Sequence, residues 1–256
     1  MLKLRPSSCS PVFLGEDGLT DKQAEMLDEL MNKIKLTEKQ AEKRDELIVK
    51  RDAPVELSAG AKTLIEEYVD RVVYDYYEDF SNPKTQKGWA VEDASIEIYN
   101  RLFFTDHKKL VEGDQYYELE YGILKGHPDV VDVVNKRVID IKSSWTKKTF
   151  PKTKEKAYDI GYQWQVKTYL YILTKMTGEQ WRHGEVAHVL VTTPEDIKPE
   201  WENDSLHYAD NLDDNLRVTV CEVELTDADI KKIEGRVEVA IKYANEYYQQ
   251  LNNKNK

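Results

Sequence analysis

The chain has 256 residues, 40% hydrophobic and 33% charged, enough to fill the core of one large domain or two small ones. Its formal net charge of −11 argues against bulk attraction to nucleic acid, and no apolar run approaches the roughly 18 residues that span a bilayer. Cys9 and Cys221 are too few for a four-thiolate cluster or a thiolate zinc site, so both are expected as free thiols of a reducing cytoplasm; the opening MLKLRPSSCS lacks the apolar stretch of a signal peptide.

Residues 1–57 are highly charged and read as an N-terminal helical extension, with 58–256 as the main domain. Thr20 with Gln23, and Thr37 with Gln40, fit the capping box of a helix start. Leu27, Leu30, Met31 and Ile34 then form a stripe at helical spacing. A third helix follows Ser58, with Ala61, Leu64, Ile65, Tyr68, Val72 and Tyr76 on one side, and Asn82-Pro83 breaks it. A fourth covers about Lys87 to Phe104. Strands follow from Tyr116, over Asp129–Val134 and over Arg137–Ser143. Residues 146–157 read as a Lys/Thr/Pro loop, Tyr158–Met176 as a helix, and Glu185–Thr193 and Leu216–Leu225 as strands. Thr226 and Asp229 cap a long last helix. This order predicts an α/β fold, a mixed central sheet with helices on both faces.

Within that frame GHPDVVDVVNKRVIDIKSSW, residues 126–145, is unusual, because Asp129, Asp140 and Lys142 sit in a Val- and Ile-rich strand pair. Such charges are costly to bury without partners. With Asn135-Lys136 as a two-residue turn, residues whose numbers sum to 271 face each other, so Asp129 opposes Lys142 and Val131 opposes Asp140. All three charged groups then share one face of the sheet. A salt bridge satisfies one aspartate and leaves the other unpaired. A divalent cation satisfies both, and Mg²⁺ suits oxygen ligands. Glu92 shares a helix face with Ile96, Tyr99 and Phe103 and should point inward, where a metal would serve as partner; the alternative is a favourable interaction with its own helix dipole. Tyr162, Gln165 and Tyr169 line one face of the next helix. The overall acidity reverses locally: residues 136–156 hold eight Lys/Arg against two acids, a stretch that is either a solvated loop or a phosphate-binding one. Trp145, Phe150 and Trp164 lie near it as candidates for base stacking, with core packing the alternative for Trp164.

The ordered set Glu92, Pro128-Asp129, Asp140-Ile141-Lys142 and Gln165-Val-Lys-Thr-Tyr169 resembles the PD-(D/E)XK nuclease superfamily, and its last element resembles the Gln-x-x-x-Tyr motif of RecB-type exonucleases. KGWAVEDASI, GHPDVVDVV, VIDIKSSW with TFP, and YQWQVKTYLYIL are similar in order to segments of phage recombination exonucleases of the lambda-exonuclease/YqaJ type, a likeness covering about residues 58–195. The resemblance implies a restriction-endonuclease-like fold and a Mg-dependent deoxyribonuclease, with Mn as an alternative metal. Glu92, Asp129, Asp140 and the carbonyl of Ile141 would bind metal, and Lys142 would orient the attacking water. Gln165 and Tyr169 would support site or substrate, and Lys147, Lys148 and Trp145 would meet DNA. Asp140 stands where many members have Glu. Arg5, Ser7 and Ser8 resemble an element that holds a terminal 5′ phosphate, to which a guanidinium fork and hydroxyls are suited. The likeness further implies 5′→3′ digestion of double-stranded ends in the cytoplasm of a phage-infected bacterium, a single-strand annealing partner, a trimer-like ring and no iron–sulfur cluster. An endonuclease of the same fold and a non-catalytic DNA-binding or assembly protein are the competing readings.

Overall fold

The structure is a computed structural model that describes residues 2–14, 19, 21–53, 55–77 and 81–253. In chain order it forms helices α1 (Ser10–Phe13), α2 (Asp21–Met31), α3 (Glu38–Asp52), α4 (Ala59–Val73), α5 (Pro83–Ala90) and α6 (Glu92–Phe103). Strands β1 (Leu119–Tyr121), β2 (Leu124–Gly126), β3 (Val130–Asp132) and β4 (Arg137–Ser143) follow. Helices α7 (Lys154–Ala157) and α8 (Ile160–Thr177), strand β5 (His183–Val189), helix α9 (Asp204–His207), strand β6 (Val218–Glu224) and helix α10 (Asp227–Asn253) complete the order. Among the described residues the main sheet runs β3-β4-β5-β6, with β4 and β5 parallel and the outer pairs antiparallel. This is the expected mixed sheet flanked by helices.

Side chains of β4 alternate between two cores. Val138 faces the larger one, with α8, α4 and α10. Ile139 and Ile141 face the smaller one, with Ile96, Ile98 and Tyr99 of α6. Both faces of β4 and β5 are covered, as expected for the parallel centre of a mixed sheet, which is why the polar Asp140 and Glu185 on them are buried. Leu4 bridges Leu124, and the Phe13 ring lies 5.4 Å from that of Trp164, so the first residues pack into the larger core. α2 and α3 close a cluster of their own through Leu27, Leu30 and Leu47. No described helix is long and apolar enough to cross a membrane, and both cysteines are free and buried.

The caps at Thr37–Gln40, Ser58 and Thr226–Asp229 form as the sequence predicts. The Thr20 cap lies outside the described residues. Four local expectations need correction. The Leu27 stripe ends early: α2 stops at Met31, and Met31 and Ile34 are exposed. Tyr76 lies beyond α4. The single helix over 87–104 is two, because Val91 turns away from helical geometry (φ −112°, ψ 11°). The strand from Tyr116 is a β1–β2 hairpin, turned at Gly122, whose φ of +61° suits glycine.

A fifth correction concerns the strand pair that carries the charges. The turn spans four residues, 133–136, with Lys136 left-handed at φ +52°, and the opposed pairs are Val130–Ile139, Val131–Val138 and Asp132–Arg137. These pairs sum to 269, not 271. A shift of two preserves the face of every side chain, whereas a shift of one would have reversed it. The expected convergence therefore survives with different partners.

α8 crosses close over β5 at Gly184. A Cβ there would lie 2.6 Å from Val166 Cγ1 and 2.8 Å from the Val138 carbonyl oxygen. Gly184→Ala is expected to destabilise the fold by about 1–3 kcal/mol, the usual cost of overpacking, measured as a lowered urea midpoint at unchanged m.

Candidate active site

Alternation along β4 turns Asp140 and Lys142 toward α8, where residues at helical spacing meet them. Gln165 Nε2 donates to Asp140 Oδ1 at 2.8 Å. Lys142 Nζ stands 2.8 Å from Asp140 Oδ2, donates to Gln165 Oε1 at 3.2 Å and lies 4.8 Å from the centre of the Tyr162 ring. Asp140 is 1% exposed. Asp129 directly precedes β3, so extending the register by one residue places it opposite Asp140 on the same face. Its Oδ2 accepts the Ile141 amide at 2.6 Å.

The segment before Asp129 is held from two sides. Tyr169 donates its hydroxyl to the His127 carbonyl at 2.8 Å. A Cβ on Gly126 would lie 2.6 Å from Pro6 Cδ and 3.2 Å from Tyr169 Cε1, so glycine admits the N-terminal segment. The Arg5–Ser8 turn thus packs on the segment three residues before the aspartate. Its Ser8 hydroxyl is 3.0 Å from Tyr68 Oη, while the Arg5 and Ser7 side chains are exposed. Glu92 opens α6, and its Oε2 accepts Lys109 Nζ at 2.8 Å.

A cleft of about 670 Å³ opens on this cluster, while Asp140, Gln165, Tyr169 and the Arg5–Ser8 turn stand outside its lining. Glu92, Asp129, Ile141 and Lys142 line its base, α5 contributes Lys84 and Trp89, and Trp145, Lys156, Tyr158 and His188 complete the walls. From the basic stretch Lys156 lines the cleft, whereas Lys147 and Lys148 stand outside its lining. Phe150 and Trp164 are buried in the two cores nearest them and cannot stack on a base from there. His188, Tyr162, Lys109 and Lys87 took no role from sequence. His188 reaches the cleft because parallel pairing sets it beside Lys142, a relation between strands 46 positions apart that no local pattern displays.

Burial pushes the Asp129 carboxyl up to about 8, and the nearby charges of Asp140 and Glu92 push the same way against Lys142. Burial lowers Lys142, but Asp140 and Asp129 more than offset it, so the ammonium is held above its usual range. Burial, reinforced by the two aspartates, raises the Tyr169 phenol and keeps it a neutral donor. Burial lowers His188, whose Nε2 donates to the Ala157 carbonyl at 3.1 Å.

Among the described residues no three His, Cys, Asp or Glu side chains are grouped as a ready metal cage. Glu92 is turned to Lys109, and Asp140 to Lys142 and Gln165. The donor chemistry nevertheless fits a hard divalent cation. Asp140 Oδ2 is buried with no well-directed hydrogen bond, despite the 2.8 Å approach of Lys142, and Asp129 faces it with its charge disfavoured.

A family model described as the PD-(D/E)XK nuclease superfamily matches residues 18–245. The chain belongs to this superfamily. It is accordingly a nuclease, a DNA-hydrolysing enzyme of a superfamily that generally works with divalent metal ions. No curated protein matches it significantly. Among solved structures, a phage-related exonuclease from Haemophilus somnus 129PT is similar at a TM-score of 0.72 and 20% identity, over 99% of this chain and 96% of that one. The alkaline exonuclease LHK-Exo from Laribacter hongkongensis is similar at 0.58 and 14% identity, over 98% and 92%. Its complex with dAMP gives 0.56 and 15%, over the same shares. At these identities the likeness establishes that the nuclease shares their fold.

The raised Asp129 pKa has a consequence for stability. Between about 3.8 and about 8 the folded state binds the extra proton, so this contribution is full below the lower value and is lost as pH rises through the upper. In chelator, thermal denaturation should show declining stability across that interval, and Asp129→Asn should flatten the decline.

Proposed function

We propose that this nuclease digests linear double-stranded DNA from its ends, 5′→3′, with Mg²⁺ as the preferred ion and Mn²⁺ as a substitute. The observation that carries the reading is the cluster of Asp129, Asp140 and Lys142 on one sheet face, with Asp129 and Lys142 opening into a cleft that Glu92 also lines and Asp140 buried behind Lys142. Glu92, Asp129, Asp140 and the Ile141 carbonyl would hold the ion. When bound, divalent ions supply Lewis-acid stabilisation of the phosphate oxygens and a more acidic water.

The protein's own groups do the rest. Lys142, held by Asp140 and Gln165 and backed by the Tyr162 ring, orients the attacking water and meets negative charge developing on the phosphate. Gln165 locks both Asp140 and Lys142 in one arrangement. Tyr169 fixes the main chain before Asp129. Trp145 lines the cleft and receives a base, while Lys147 and Lys148 meet phosphates outside it.

End dependence and polarity are supported from elsewhere. The exposed Arg5 and Ser7 lie in the turn whose Pro6 packs on Gly126, three residues before Asp129, which suits them to a terminal 5′ phosphate. The relatives of the same fold are described as exonucleases, and one was captured with a mononucleotide, dAMP. The resemblance to phage recombination exonucleases adds a ring-shaped trimer, a single-strand annealing partner and action in the cytoplasm of a phage-infected bacterium.

Lys142→Ala is expected to lower the cleavage rate by about 10²–10³-fold or more while leaving DNA binding nearly intact; cleavage at the wild-type rate would remove Lys142 from the chemistry. With Mg²⁺ and end-labelled duplex, linear DNA should be degraded and covalently closed circles spared. Digestion of the circles would favour an endonuclease. Arg5→Ala should erase the preference for 5′-phosphorylated over 5′-hydroxyl ends, scored on the same gels.

A further inference from the structure

β4 and β5 run in parallel until Ser144, whose amide still donates to the Val189 carbonyl at 2.8 Å. Past that point the chains part, and carbonyls leaving a ladder need new donors if they are buried. Lys87 supplies them. Its Nζ stands 2.7 Å from the Ser144 carbonyl oxygen, 2.9 Å from that of Trp145 and 2.8 Å from that of Val191. The residue is 0% exposed. An ammonium has three donors and no acceptor, so three carbonyls satisfy it fully. The Trp145 ring centre lies 6.0 Å from the same charge. Burial lowers Lys87 to about 8, which still leaves it cationic at neutral pH.

The helix that carries Lys87 has two sides. Lys87 points inward, while Lys84, Thr85, Gly88 and Trp89 line one wall of the cleft. Ser144 and Trp145, whose carbonyls Lys87 grips, line the same cleft. We propose that Lys87 is a positioning residue for the nuclease reaction: its ammonium pins α5 to the carboxyl ends of β4 and β5 and so sets where the cleft lining carried by α5 stands relative to Lys142, Ser144 and Trp145. The same grip fixes the exit of the strand that ends just after Lys142, and α5 leads through Val91 into Glu92. Because the ties run to three main-chain oxygens, donors and charge carry the effect, and an apolar side chain of equal length does not replace them. The inference rests on the cleft being the DNA site proposed above.

The test uses the full-length protein, with affinity for a short labelled duplex measured in Ca²⁺ and cleavage measured in Mg²⁺. Lys87→Met keeps the packing and removes the donors; Lys87→Ala opens a cavity lined by the three carbonyls. Both are expected to fold with a lowered melting temperature, to bind DNA more weakly, and to lose about 10- to 100-fold in kcat/KM. Propylammonium chloride should restore Lys87→Ala, whereas 1-propanol with matched NaCl should not. A Lys87→Met variant with wild-type affinity and kcat/KM would overturn the proposal, as would equal rescue by propanol. Failure of both variants to fold would assign Lys87 to stability alone and overturn it too. Wild-type protein that bound no DNA would remove the cleft reading and this inference with it, whereas a cleaving wild type beside an unaffected Lys87→Met removes only this inference.

Discussion

The arrangement depends on the repulsion between two aspartates that β3 and β4 force to face one another. Asp129 and Asp140 lie opposite across an antiparallel pair, with Asp140 almost fully buried. Two carboxylates so placed cannot both stay ionised without positive charge between or beside them. Lys142 provides part of it, and Gln165 and the Ile141 amide provide hydrogen bonds. The remaining imbalance shows as the raised Asp129 carboxyl and the unsatisfied Asp140 oxygen. A site under this tension favours a divalent cation for the reason that makes it costly without one.

The surrounding fold maintains that tension. Gly184 lets α8 approach β5 closely enough for Gln165 and Tyr169 to reach the strand pair. Gly126 lets Pro6 and Tyr169 press on the main chain that delivers Asp129. Ser95 and Ser143 share a hydrogen bond of 2.8 Å, tying the helix that begins with Glu92 to the end of β4. Lys87 adds three bonds to the ends of the parallel strands. Each contact holds an element that carries a charged group of the cleft, so chemistry and packing rest on the same few residues.

The hairpin shows how local reading and tertiary packing divide the work. Asn135-Lys136 suggested a tight two-residue turn, but the chain takes four residues and a left-handed Lys136. The error moved every opposed pair by two positions and left every face unchanged, because strand side chains repeat every two residues. In the same way the break at Val91 divided a predicted helix without moving Glu92 off the first turn of the second half.

Sequence alone therefore determined most of the longer helices and strands, though not the short helices α1, α7 and α9, together with the strand face shared by Asp129, Asp140 and Lys142 and the ordered motif that marks a PD-(D/E)XK nuclease. The elements and the shared face follow from periodicity and residue chemistry within a few positions of each other, whereas the motif, which runs from Glu92 to Tyr169, follows from resemblance to the family. The tertiary structure alone decided that His188 stands beside Lys142, that Lys109 meets Glu92, that Lys147 and Lys148 miss the cleft while Lys156 lines it, and that a buried lysine closes the ends of two strands. Those relations join residues between 17 and 104 positions apart, and the physical reason they escape a reading of the sequence is that crossover and strand separation place them, not any local preference of the residues themselves.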